Sequence, residues 1–138
     1  MTVYLIGSLA GRVAAMLCVV VIALPYLLRR NRLSRGLGLA QEHAAPYLRR
    51  LWPHFWVGYL VLGLSTLHAG TVARALGRAT GTGILAATAA FFLLWFEIVL
   101  GLSLRDEALA ARQSMRRIHF WIMAALVGSL GIHWWLNA

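Results

Sequence analysis

The chain has a single cysteine, Cys18, no lysine, and only four acidic residues among 138. One cysteine excludes a disulfide framework and any zinc or iron–sulfur site built on cysteine thiolates. Charged residues make up 12% of the sequence, against about 25% in a soluble domain. With 61% hydrophobic residues and a mean hydropathy of +0.74, a water-soluble single domain is excluded, and disorder with it. There is no strand pattern and no Gly-x-Gly-x-x-Gly fingerprint, so the chain has no means of its own to take a hydride from a nicotinamide nucleotide. Internal repeats, low-complexity tracts and a second domain are also missing, and residues 1–138 read as one domain. The net charge of +9 and pI near 11.5 would point to nucleic acid in a soluble protein. Here every basic residue is an arginine and most sit between apolar runs. That pattern speaks of membrane topology, and no nucleic-acid partner is expected.

Four apolar runs are long enough, at roughly 20 residues, to cross about 30 Å of hydrocarbon as helices. They cover about 3–28, 52–74, 80–104 and 117–137, with Arg74 and Arg117 at their ends and charge in their interiors only at Arg12 and Glu97. A backbone in lipid must satisfy its own hydrogen bonds, so the expected fold is an all-α membrane protein, an up-down-up-down bundle of four transmembrane helices. The first run lacks a basic leader and is too long for a signal peptide. Arg29, Arg30, Arg32, Arg35, Arg49 and Arg50 lie between spans one and two, and Arg105, Arg112, Arg116 and Arg117 between spans three and four. Only Arg74 and Arg78 lie in the second connection. The positive-inside rule then places both termini outside the cytoplasm, in what is expected to be a bacterial inner membrane. Trp52, Trp56 and Trp121 fall near the inner interface, Trp134 and Trp135 near the outer one. The connection holding Gly38 to Arg50 has the makings of a short interfacial helix.

Of the five histidines, His43 reads as a solvated loop residue. The other four form two pairs, His54/His68 on span two and His119/His133 on span four, each separated by 14 residues. Fourteen residues at 100° turn through about 1400°, about 40° short of four full turns, and advance about 21 Å. In a left-handed bundle the residual angle vanishes, so both members of a pair face the same partner helix. Spans two and four run in the same direction, which sets His54 level with His119 and His68 level with His133. Two facing imidazoles at each of two depths suit two stacked b-type haems between helices 2 and 4, each iron held by one histidine from either helix. Hydrogen bonding to a neighbouring helix is the plainer role for any one of them. Zinc or copper transport is less suited, since such sites gather their ligands within a few ångströms.

The surroundings can be read in the same frame. Val61 and Leu126 lie midway between the levels as apolar spacers. Gly7, Ser8, Gly11, Ala14 and Ala15 in span one, and Gly81, Gly83, Ala86, Ala87, Ala89 and Ala90 in span three, admit either a bulky ring or a closely packed helix. Arg49, Arg50, Arg116 and Arg117 flank the inner level, where haem propionates need cations. Arg12, near the outer level, needs a propionate, a bound anion or a path to the surface. Glu97 on span three lies within reach of the inner level, where it is a candidate proton or quinone site, a partner for a haem-level group, or half of an ion pair with an inner arginine.

The histidine pairs with their flanks, RRLWPHFWVGYLVLGLSTLHAG and RRIHFWIMAALVGSLGIHWWLN, resemble the di-haem core of transmembrane b-type cytochromes. The likeness is to the ferric-reductase-like transmembrane domain and the cytochrome b561-like four-helix core, and more distantly to the haem-bearing helices of the bc-complex cytochrome b. It implies that His54 and His119 ligate an inner haem b, His68 and His133 an outer one. Span one departs from the four-helix b561 proteins in having no haem histidine, and the chain lacks the six helices and flavin domain common among ferric reductases. The expected function is a conduit carrying electrons between a quinone pool or redox partner at one face and an acceptor or donor at the other. Whether the chain is an electron-transfer protein or the membrane subunit of an oxidoreductase is left open. So are a bound quinone and assembly as a homodimer or larger complex. The alternative is a self-contained quinone-coupled oxidoreductase acting on superoxide or metal ions at the outer surface, with Arg12 as its anion site and Glu97 as its proton site.

Overall fold

The computed structural model describes residues 2–29, 51–73, 81–106 and 110–137. They form four helices, α1 (Thr2–Arg29), α2 (Trp52–Val72), α3 (Gly81–Ser103) and α4 (Arg112–Asn137), and no strand occurs among them. The expected interfacial helix and His43 lie outside the described residues, as do the arginines at 30, 32, 35, 49, 50, 74 and 78. All four helices are long and apolar enough to cross a membrane. The helices match the apolar runs closely except α4, which begins at Arg112 rather than near residue 117. Hydropathy marks where the hydrocarbon begins, whereas Arg112, Gln113 and Met115 are good helix formers that carry the helix on into the polar region.

Polar contacts of the four histidines fix the register. On α2, His54 meets Val21 of α1 and His68 meets Gly7, so a step of 14 residues along α2 matches 14 residues back along α1. On α4, His119 meets Glu97 of α3 and His133 meets Gly83, which is the same step. Each of these helix pairs therefore runs antiparallel and packs along its length. Contact between the two hairpins is sparser. A small core of Val61, Ala90, Leu94 and Leu126 joins them at mid-depth, and the Arg105 guanidinium lies 5.4 Å from the centre of the Phe55 ring. A cation over an aromatic face is attractive by about 0.5–2 kcal/mol, depending on how dry the site is.

The outside of the bundle is apolar. Only 6% of the most hydrophobic stretch of α2, and 6% of that of α4, is buried within the protein. Leu9, Met16, Leu60, Phe92, Phe96 and Val127 are among the many large side chains that face outward. Such a surface is stable only against lipid. Thr66, Thr71 and Ser103 return their hydroxyls to carbonyls of the preceding turn, so no polar group need face hydrocarbon there. Trp52, Trp56 and Trp121 are exposed near the arginine-rich end, Trp134 and Trp135 near the opposite end, as interfacial tryptophans are.

Candidate functional site

The four histidines of α2 and α4 lie in two levels. "Inner" denotes the end carrying Arg105, Arg112, Arg116 and Arg117, and "outer" the end carrying Trp134 and Trp135. At the outer level the His68 and His133 rings have centroids 6.4 Å apart and planes inclined by 70°. At the inner level His54 and His119 line one cavity of about 930 Å³. Val21, Phe55, Gly58 and Met123 furnish its apolar wall, and Arg112, Arg116 and Arg117 line it as well. Val61 and Leu126, 1% and 7% exposed, sit between the levels in the mid-depth core.

Three of these imidazoles are tied back through Nδ1 to backbone carbonyls, and the fourth, His119, stands against a carboxylate. His54 Nδ1 donates to the Val21 carbonyl at 3.0 Å and His68 Nδ1 to the Gly7 carbonyl at 2.9 Å. His133 Nδ1 lies 3.3 Å from the Gly83 carbonyl and equally far from the Asn137 amide nitrogen. Asn137 has a better acceptor in the His133 carbonyl at 2.7 Å, which leaves Nδ1 to donate to Gly83. His119 Nδ1 stands 2.6 Å from Glu97 Oε2, an ion-pair contact outside hydrogen-bond geometry. A carbonyl can only accept, so a neutral imidazole that donates to it carries its proton on Nδ1 and its lone pair on Nε2. This is the tautomer in which histidine binds metals through Nε2, with the second nitrogen oriented by a carbonyl or carboxylate. No hydrogen bond to any of the four Nε2 atoms occurs among the described residues.

Local sequence explains how the neighbouring helices offer these acceptors. Pro25 has no N–H, so the Val21 carbonyl one turn back is left without its helical partner, and His54 takes it. At the outer level glycine makes the room. A Cβ on Gly11 would stand 2.6 Å from His68 Nδ1 and 2.9 Å from its Cγ, so the ring lies flush on the backbone of α1. A Cβ on Gly7 would run into the Thr71 hydroxyl. The small residues of span one thus admit both a ring and a closely packed helix. Pro25 is the feature that hydropathy reading passes over. Its signal is a helix proline four residues after the carbonyl in question.

Glu97 is 8% exposed, and its Oε1 has no hydrogen-bond partner. Of the three roles open to it, the structure brings it to a histidine of the inner pair. Arg12 is exposed on α1, next in sequence to Gly11. Among the described residues no group of three or more His, Cys, Asp or Glu side chains is placed to hold a metal ion. Comparison with protein-family models, curated proteins and solved structures returned no match.

Proposed function

We propose that the protein is a di-haem b-type cytochrome that carries electrons across a membrane, with one haem between α2 and α4 at each level of an up-down-up-down bundle. The observation that carries this reading is the arrangement of the four histidines: three are anchored through Nδ1 to backbone carbonyls and the fourth stands against Glu97, no Nε2 is hydrogen-bonded among the described residues, and they pair across the two hairpins. Two imidazoles on opposite sides of one metal, with bonds of about 2 Å and ring nitrogens about 1.1 Å from their centroids, have centroids about 6.3 Å apart. The outer pair stands at 6.4 Å. Rings about such an axis are free to turn, so an interplanar angle of 70° fits equally well. Only two protein ligands are needed where a macrocycle supplies four nitrogens of its own, which agrees with pairs rather than clusters of donors.

When bound, the haems would supply one-electron redox centres, each held by two histidines, which suits electron transfer rather than oxygen activation. The chain's own residues do the rest. His54 and His119 hold the inner group, His68 and His133 the outer one. Arg112, Arg116 and Arg117 lie where an anionic propionate edge would face the aqueous side. Val61 and Leu126 keep the interval between levels dry, and the lipid-facing side chains hold the bundle at fixed depth. With the arginine-rich end in the cytoplasm both termini lie outside, in a bacterial inner membrane. A quinone or redox protein at one face and an acceptor at the other complete the circuit, the chain acting alone, as a homodimer or as a membrane subunit.

Proteoliposomes loaded with ferricyanide and given dithionite outside test this function. Haem-loaded protein should reduce the trapped ferricyanide at a rate proportional to protein content, and His68→Ala should abolish it. A wild-type rate no higher than that of protein-free vesicles, or an undiminished rate in the variant, would overturn the reading.

A further inference from the structure

The two levels differ in what receives the imidazole protons. Three of the histidines donate to backbone carbonyls, which are neutral. His119 alone faces a carboxylate, at 2.6 Å, from a residue buried among apolar neighbours on α3. A carboxylate this close to the ring favours positive charge on the imidazole and on a metal it would hold, which a neutral carbonyl does far less. The other oxygen of the same carboxylate is buried without a hydrogen-bond partner, and Glu97 is one of the residues that line the inner cavity. An unpaired buried charge is costly, so this oxygen calls for positive charge within that cavity. Both effects favour the oxidised, more positive state of a redox metal held by His119. Neither operates at the outer level, where His68 and His133 rest on the carbonyls of Gly7 and Gly83.

Resting on the di-haem reading, we infer that Glu97 is the positioning residue that makes the inner centre the lower-potential one. Glu97 polarises His119, and the electron therefore passes from the inner level to the outer. In that transfer the group held by His54 and His119 would give up one electron and the group held by His68 and His133 would take it up. No atom is transferred. The reductant is a quinol or a one-electron carrier at the arginine-rich face, and the oxidant is a one-electron acceptor at the other. Glu97 touches the ligand rather than the substrate, so its signature is a potential rather than a lost reaction.

The test is a spectroscopic redox titration of the haem-loaded, detergent-purified protein and of Glu97→Gln, together with His68→Ala, which retains the inner centre alone. The wild type should show two one-electron couples, and His68→Ala should keep the lower of them. In Glu97→Gln the lower couple should rise by at least 59 mV, a tenfold change in its ferric-to-ferrous equilibrium, with the upper couple unmoved. Glu97→Asp, which keeps a carboxylate, should restore part of the difference. If Glu97→Gln fails to fold, the order of the couples still decides, because finding the upper couple in His68→Ala overturns the inference. Two haems with unchanged potentials in Glu97→Gln overturn it as well. A wild type without haem overturns the di-haem reading itself, a distinguishable result.

Discussion

His54 and His119 line a cavity of about 930 Å³, whereas His68 and His133 stand with ring centroids 6.4 Å apart against a glycine-lined helix face. Both pairs follow one plan: a 14-residue step on α2 and α4 matched by a 14-residue step back on α1 and α3. They differ in how the plan is met. At the outer level the backbone itself approaches, through Gly7, Gly11 and Gly83, and the two rings stand edge to face. At the inner level the acceptors are made available by chemistry, through a proline that frees a carbonyl and a carboxylate that replaces one. The lesson is that an equal spacing of ligands does not make equal sites. Spacing sets where the imidazoles stand, and the neighbouring helix sets their tautomer, their donor strength and the room beside them.

Several changes should break or sharpen this contrast. The largest effect is expected of His68→Ala and His119→Ala, each of which should lower the haem count from two to one per chain while the other level keeps its low-spin spectrum. Loss of both haems in either variant would show the levels to be a single unit. Next comes Gly11→Leu, which drives a side chain into the space of the His68 ring and should empty the outer level alone. Gly11→Ala is milder, with overpacking of about 1–3 kcal/mol, and should show as faster loss of the outer haem to apomyoglobin. If the inner haem leaves instead, the assignment of Gly11 to the outer level is wrong.

Much of this architecture was legible from residue order alone. Runs of apolar residues give four helices because lipid leaves a backbone no other partner, and the histidine spacing gives two levels because helical geometry is periodic. The acceptors on α1 and α3 were not legible in the same way. Val21, Gly7 and Gly83 act through carbonyls, which every residue possesses and no side-chain pattern marks. Glu97 was visible as a charge out of place, but three roles were open to it until α3 and α4 were set in register. Arg12 also stood out as a charge within a span, and its place on the exposed face of α1 turns attention from the interior to the surface beside the outer level. The inferred difference between the two levels has no sequence signature, since it rests on a contact between residues on two helices.

Two smaller effects refine the contrast further. Pro25→Ala returns an N–H to compete for the Val21 carbonyl, weakening a hydrogen bond worth about 1 kcal/mol net. Both haems should remain, with inner haem loss about fivefold faster and outer haem loss unchanged, measured by the same transfer assay. No change at the inner level would deny Pro25 its part in orienting His54. Arg12→Gln should leave haem content untouched and slow electron exchange with ferricyanide at the outer face about twofold, an effect that added salt removes. A change in haem count there would instead place Arg12 among the groups that hold the outer haem.

The most direct measurement is the haem content of detergent-purified protein from cells with ample haem supply, read with a reduced-minus-oxidised spectrum. We expect two non-covalent haems b per chain, both low-spin. Protein that is folded and helical yet binds no haem would contradict the central claim and return the four histidines to helix packing.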